Sequence, residues 1–356
     1  MKIAIDVSQM CYEGTGVARY VYGLVQALLN LDTKHKFVLY AGSLRQRAYF
    51  EKLKTQSPWD KARWHILPIP PKLASIALNA LPIPIESLIG KVDLFHSSDW
   101  VEPRVRCPHV TTVHDLVFVK YPETVAHLIV KAQTKRLKRV VNGNGLIIAD
   151  SKSTKNDLME TYSLSTERIE VVYPGIDSSY KPASSTDIER VKTKYNLPNN
   201  YIFSLGTQEP RKNLTRLESA ALSLNLPLVI AGKHGWGSKT TTLGFVPESD
   251  LPALYTGATV FAYPSLYEGF GFPVLEAMAC GTPVVTSNIS SLPELAGDAA
   301  ILVDPSSIDL IKAGITTAIQ NRDICIERGF KQVQKFTWES TARHTMEVYE
   351  KTANRH

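Results

Sequence analysis

Short apolar runs rich in β-branched and aromatic residues alternate with longer stretches of helical period along almost the whole chain. KIAIDV (2–7) predicts a buried strand, and Val17, Tyr20, Val21, Leu24 and Leu28 fall on one stripe of a helix predicted from Val17 to Asn30. KFVLY, ARWHILP, KVDLFH, PHVTTV, GLIIAD and RIEVVYP predict further strands in the first half, and YIFSLG, LPLVIAG, ATVFAYPS, TPVVTS and AAILVD predict strands in the second. Strands alternating with helices in this way are the signature of βαβ units, so the fold class is α/β with two doubly wound, Rossmann-like sheets in tandem. After Pro174-Gly175 the stretch DSSYKPASSTD (177–187) has no periodicity and reads as an interdomain connection. The expected domains are 1–180 and 181–337. The terminal segment 338–356, helical by period, either closes the second domain or returns to complete the first.

Length agrees, since 356 residues suit two domains better than one. No run approaches the ~18 uninterrupted apolar residues of a membrane-spanning helix, and MKIAIDVSQM lacks the basic-then-apolar layout of a secretory signal, so a cytoplasmic location is expected. Cys11, Cys107, Cys280 and Cys325 lie far apart without ligand spacing, which predicts reduced thiols and neither a disulfide frame nor structural zinc. The formal charge of +6 permits an anionic partner but is too small to indicate nucleic acid, and no aromatic-basic stripe accompanies it.

The richest chemistry lies in PSLYEGFGFPVLEAMACGTPVV (264–285). A strand runs into a Gly-rich loop, Pro273 stands where the first turn of a helix tolerates a missing N–H, and Gly281 ends the helix. Such a loop sits at the carboxyl edge of a parallel sheet, and a helix start attracts phosphate, so Gly269, Phe270, Gly271 and Phe272 form a candidate anion cradle. Glu268 in the loop and Glu276, read as a first-turn acid, can face one cleft, where carboxylates accept hydrogen bonds from sugar hydroxyls. A second candidate is GTQEPRKN (206–213), where Arg211 and Lys212 are adjacent cations at the mouth of a strand and match the charge of a diphosphate. EGTG (13–16), between the first strand and helix, by itself indicates only a tight turn.

These segments resemble the retaining glycosyltransferases of the GT-B fold, specifically glycosyltransferase family 4. EGFGFPVLE matches the family's paired-glutamate motif, and TPVV and SLPEL match the segments that come next in the family. VTTVHDL, IIADSKST, VVYPGID, FSLGTQEPRKNL, LVIAG and LGFVPESDLPALY occur in the expected order over nearly the whole chain. The resemblance implies two Rossmann-like domains facing each other across a cleft, the first on the acceptor side and the second binding a nucleotide-sugar donor. It implies that Lys212 and Arg211 contact the donor diphosphate, that Glu268 holds sugar hydroxyls and Glu276 ribose hydroxyls, and that His114 reaches the sugar from the first domain. By the same resemblance Gly14, Gly16 and Arg19 lie near the donor phosphates, Gly244, Phe245 and Val246 read the base, and Lys233 approaches the ribose or phosphate. His96 is the next histidine in rank. Thr207 departs from the family, many members having Arg there, which shifts phosphate duty to Arg211, Lys212 and backbone N–H groups.

No D-x-D occurs, so neither a metal nor another cofactor is expected, and the leaving diphosphate would be neutralised by the helix start and the two cations. The implied activity is metal-independent hexosyl transfer with retention. Mannose from GDP-mannose is the favoured donor and a UDP-sugar the rival, while a nucleotide-sugar epimerase and a non-catalytic nucleotide-sugar-binding protein are the alternatives outside transfer. The acceptor is expected to be a glycan or a polyprenyl-linked chain. VAHLIVKAQTKRLKRVV (125–141), with Lys131, Lys135, Arg136, Lys138 and Arg139 beside an apolar stripe, reads either as a helix lying on anionic lipid or as an ordinary helix with a solvated basic face. The Pro-interrupted apolar segment 71–90 is a second candidate border for a lipid-carried acceptor.

Overall fold

The computed structural model describes residues 1–12, 14–42, 46–67, 83–97, 100–233 and 242–355. The chain divides into two compact units, Met1–Gly175 with Trp338–His356, and Ile176–Thr337.

Seven parallel strands form the sheet of the first unit: β1 (Lys2–Asp6), β2 (Lys36–Gly42), β3 (Arg63–Leu67), β4 (Leu94–Ser97), β5 (His109–Val113), β6 (Leu146–Ala149) and β7 (Ile169–Val171). Their spatial order is β3-β2-β1-β4-β5-β6-β7, so the winding reverses between β1 and β4. The second unit carries β8 (Ile202–Leu205), β9 (Leu228–Ala231), β10 (Val260–Tyr263), β11 (Val284–Ser287) and β12 (Ala300–Val303) in the order β12-β11-β10-β8-β9, again all parallel, with the reversal between β8 and β10. In open sheets of this kind ligands bind outside the carboxyl ends of the strands at the reversal, because the loops there diverge to opposite faces.

Each of the twelve runs read as strands contains a strand, most of them shortened at the ends, while β2 runs on to Gly42 and β4 to Ser97. The reason is burial. Helices cover both faces of a parallel sheet, so interior strands are enclosed: β4, β5, β6, β10 and β11 are buried at all or nearly all positions. The first helix spans Gly16–Asn30, capped by Thr15, whose hydroxyl accepts from the Ala18 N–H at 3.2 Å. Tyr20, Val21, Leu24 and Leu28 are its buried stripe, as the period requires, with Val17 partly covered.

The closing helix, Trp338–Ala353, belongs to the first unit. Its Ala342, Met346, Val348 and Tyr349 join the core built on β1, β2 and the first helix, and Trp338 lies over Gly23, where a β-carbon would come within 2.2 Å of the indole. The polar stretch 177–187 is a correction to the sequence reading. It is packed on the second unit: Tyr180 is buried with its ring edge-on to Tyr255, the Ala183 N–H donates to the Thr256 hydroxyl (3.0 Å), and a helix begins at Ser185. A single aromatic anchor among small polar residues leaves no periodicity to read.

All four cysteines are free thiols, with Cys107 half-buried and the others buried. Among the described residues no helix is long and apolar enough to cross a membrane.

Candidate active site

In the second unit the two sequence segments singled out for their chemistry meet. GTQEPRKN follows β8 and the Gly-rich loop follows β10, which are the neighbouring strands at the reversal. Pro210–Lys212 forms a single 3-10 turn, and Asn213 takes a left-handed conformation (φ 59°) that lets its amide donate to the carbonyls of Pro264 (3.0 Å) and Pro305 (2.6 Å). That tie fixes the cationic turn against the loop after β10. Arg211 Nη1 then donates to Glu268 Oε2 at 2.9 Å and to the Tyr267 carbonyl at 3.1 Å, while its Nε donates to Glu209 Oε2 at 2.8 Å. Lys212 Nζ donates to Glu268 Oε1 at 2.6 Å and to the Tyr263 hydroxyl. Both oxygens of Glu268 are thus held by cations.

Backbone approach makes room for this. Gly206 (φ 147°) and Gly232 (φ 145°) end β8 and β9; a β-carbon on Gly232 would stand 2.0 Å from the Gly206 carbonyl oxygen, and one on Gly206 would press on the Lys212 stem at 3.2 Å.

The electrostatics follow from burial and from the partners. Burial by itself raises a carboxyl pKa, but Lys212 and Arg211 overcome it and hold Glu268 down at about 2, so it is a carboxylate at any physiological pH. Burial, reinforced by Arg211, lowers the Lys212 ammonium from its ordinary value, and Glu268 opposes that shift. Burial raises the Tyr263 phenol well above its usual range, with Glu268 adding to the effect, so it stays a neutral hydroxyl. Two cations and one anion leave the cluster short of one negative charge before Glu209 is counted.

The helix after the loop runs Phe272–Ala279 from Gly271, and Glu276 therefore lies in its second turn. The expectation of a first-turn acid facing a cleft is corrected accordingly: Glu276 is buried at 1% exposure, and its Oε2 accepts from the Tyr255 hydroxyl at 2.8 Å. Gly269, Phe270 and Gly271 are buried and Phe272 is half-buried. Ser290 and Ser291 brace the loop by donating to the Glu268 carbonyl (2.6 and 2.9 Å). Thr207 is half-buried, with its carbonyl accepting from the Glu209 N–H. Lys233, exposed, lies beside this turn, its carbonyl accepting from the Gln208 N–H at 3.2 Å. Gly244 bridges Gly232, with Phe245 exposed at 64% and Val246 buried.

In the first unit Gly14 (φ 79°) is exposed ahead of the first helix and Gly16 is exposed as its first residue, and Arg19 is half-buried in its first turn; Glu13 lies outside the described residues. His114 follows β5 and its Nδ1 is 2.6 Å from Asp150 Oδ2. His96 is fully committed: Nδ1 pairs with the Tyr349 hydroxyl (2.7 Å), Nε2 with the Thr112 hydroxyl (2.8 Å), and burial lowers its pKa to about 3.

The basic segment forms the helix His127–Asn142, but only part of its charge is on the surface. Arg136 is a correction: it is buried at 4% and donates to the Thr111 hydroxyl (2.7 Å) and the Thr112 carbonyl (2.9 Å), because those polar groups on β5 face the helix. Arg139 is half-buried, and Lys131, Lys135 and Lys138 are exposed. Residues 71–82 of the second apolar candidate lie outside the described residues.

Sequence reasoning missed Tyr263, Glu209, Asn213, Tyr255 and Asp150. A signal existed for Asp150, a lone acid ending the apolar run GLIIA.

The family model for glycosyl transferases group 1 matches residues 185–332, and that for Glycosyltransferase Family 4 matches residues 14–180. The chain is 34% identical over 280 residues to the O-antigen chain mannosyltransferase B of Escherichia coli, a match covering 72% of this chain and 74% of that one. Among solved structures it is similar to sucrose-phosphate synthase from Thermosynechococcus elongatus (TM-score 0.74, 18% identity, 100% of each chain). It is also similar to Anabaena HepE in complex with UDP and glucose (TM-score 0.70, 19% identity, 99% of this chain and 100% of that one). These structural likenesses carry the fold, that of the GT-B glycosyltransferases. With each unit matched by its own family model and a relative spanned over most of its length, the chain belongs to the GT-B glycosyltransferases of family 4.

Proposed function

We propose that the protein transfers mannose from GDP-mannose, with retention of anomeric configuration and without a metal ion, onto a glycan or polyprenyl-linked acceptor in the synthesis of a surface polysaccharide. The observation that carries the donor site is the gathering of Arg211 and Lys212 on Glu268 at the strand reversal of the second unit. Similarity to an O-antigen mannosyltransferase supports the sugar and the pathway class.

In this reading the donor diphosphate takes the place of Glu268 opposite the two cations. The bond from the anomeric carbon to the phosphate oxygen breaks, charge moves onto the leaving diphosphate, and Lys212 and Arg211 stabilise it more strongly in the transition state than in the ground state. The acceptor oxygen bonds to the anomeric carbon from the same face, and its proton passes to the leaving phosphate oxygen. Glu268, released from the cations, accepts from sugar hydroxyls. His114 contacts the sugar, and Gly14, Gly16, Thr207, Lys233 and the segments Gly244–Val246 and Gly269–Phe272 complete the donor contacts.

A ligand that binds only the folded state raises its stability. GDP and GDP-mannose are therefore expected to raise the thermal unfolding midpoint more than UDP, dTDP or their sugars at equal concentration. A shift with UDP alone, the nucleotide bound in the HepE structure, would replace the donor assignment while leaving the transfer reading in place; no shift with any of them would remove the donor site.

We further propose that the acceptor is presented at a membrane surface touched by the helix His127–Asn142. Leu128 is 80% exposed, Ile129 37%, and Lys131, Lys135 and Lys138 are exposed beside them. The protein should co-sediment with phosphatidylglycerol vesicles and not with phosphatidylcholine vesicles, and Leu128→Glu should abolish the difference; equal sedimentation with both lipids refutes the contact.

A further inference from the structure

We propose that Tyr263 is a positioning residue for Lys212: its hydroxyl is the acceptor that keeps the ammonium aimed at the donor diphosphate after the Glu268 carboxylate has given way. The inference rests on the reading of Lys212 as a diphosphate contact and adds to it the group that orients the cation.

Lys212 Nζ donates to Glu268 Oε1 at 2.6 Å and to the Tyr263 hydroxyl, and these acceptors differ in what carries them. Glu268 stands in the loop after β10, at the end of a long, rotatable side chain. Tyr263 is the last residue of β10, which lies between β8 and β11. Its carbonyl accepts from the Thr286 hydroxyl on β11 at 2.9 Å, and its ring is buried at 3% exposure. Phe261, two residues back on the same strand face, stacks on that ring with centroids 5.8 Å and planes 20° apart. A group built on a strand and locked by packing keeps its place better than one on a loop, so a polyanion arriving at the cluster displaces the carboxylate and leaves the phenol where it is.

The contact is to the oxygen. Nζ lies 4.8 Å from the Tyr263 ring centroid while touching the hydroxyl, which puts it beyond the rim of the ring rather than over its face. Burial raises the phenol well above its usual range, with Glu268 adding to the effect, so the acceptor is neutral and leaves the cation its full charge for phosphate. A lysine head is a rotating point charge on a flexible stem, and its direction must come from its surroundings. Here the stem is confined too, since a β-carbon on Gly206 would stand 3.2 Å from Lys212 Cε and 3.7 Å from Nζ. Arg211 has the same provision in another form: without Glu268 its guanidinium still donates to Glu209 Oε2 (2.8 Å) and to the Tyr267 carbonyl (3.1 Å).

Tyr263→Phe keeps the ring and its stacking and removes one oxygen. In the full-length protein, with GDP-mannose as donor and octyl α-mannoside as the acceptor probe, it should lower kcat for GDP release by about tenfold and change donor KM by less than about twofold, as the loss of one hydrogen bond that counts most in the transition state does. In the Lys212→Met background the same change should cost nothing further, because its effect passes through the ammonium. In a crystal structure of the GDP complex Lys212 Nζ should keep the Tyr263 hydroxyl and reach a phosphate oxygen, with the Glu268 side chain turned away. Wild-type turnover in Tyr263→Phe, an equal loss with and without the ammonium, or a GDP complex in which Nζ has left the hydroxyl overturns the proposal. Should Lys212→Met turn over like the wild type, or Nζ stay on the hydroxyl with no phosphate in reach, the diphosphate reading itself fails and the positioning role falls with it. A Tyr263→Phe protein that does not fold leaves the GDP complex to decide.

Discussion

Lys212→Ala is expected to lower GDP release from GDP-mannose by about 10²–10³-fold, the usual cost of removing one preorganised group that stabilises developing negative charge. The ammonium is buried, and burial with Arg211 beside it already disfavours its charge. A cation kept in such a place at a cost to the apo protein gains most when a polyanion arrives, and the gain grows as the leaving group separates. Folding should suffer less than turnover, since the alanine variant still lets Arg211 hold Glu268. Steady-state kinetics and the unfolding midpoint should be measured on the same preparation. A variant with wild-type turnover and wild-type GDP affinity would remove Lys212 from the phosphate site.

Glu268→Gln is expected to separate stability from binding. At pH 7 it should destabilise the free protein by about 3 kcal/mol, because breaking a buried pair by removing one partner strands the other's charge; Arg211 would still pair with Glu209, but both cations would lose the carboxylate they share. GDP should then raise the midpoint of the variant more than that of the wild type, the diphosphate supplying the missing negative charge, while transfer falls. The pH dependence has a definite sign. The folded carboxyl sits at about 2 against an ordinary value of 4.5, so its contribution is complete above pH 4.5 and is lost as pH falls toward 2. Lys212, shifted downward, works the other way at the alkaline end and makes the net worth of the pair smaller than that of the carboxylate alone. Urea midpoints at pH 7 and pH 3 check this: the gap between wild type and variant should narrow at the lower pH. A constant gap, or a variant that GDP stabilises less than the wild type, would count against Glu268 as the group the diphosphate displaces.

The strands are legible in the sequence because parallel strands covered on both faces are rich in apolar and β-branched residues, and such runs stand out between helical stretches. The Gly-rich loop and the EPRKN turn are legible as chemistry because charged residues concentrate where apolar runs stop. Their partners are not. Tyr263 meets Lys212 across 51 residues and Asp150 meets His114 across 36, and both meetings depend on which strands are neighbours, a property of the sheet order. Arg136 misleads for a related reason: its charge counts the same in a sequence whether it points to water or to Thr111. Glu276 reads as a first-turn acid because Pro273 marks a helix start without fixing its first residue; the helix starts one residue earlier, at Phe272, and Glu276 stands fifth, enclosed against Tyr255.

Because the first unit takes its last helix from beyond the second, the second is an uninterrupted insertion, 176–337, within a split partner. During synthesis the first unit therefore cannot be completed until the segment bearing Trp338, Met346 and Tyr349 has been made, and until then the Tyr20–Leu28 face of its first helix lacks that cover.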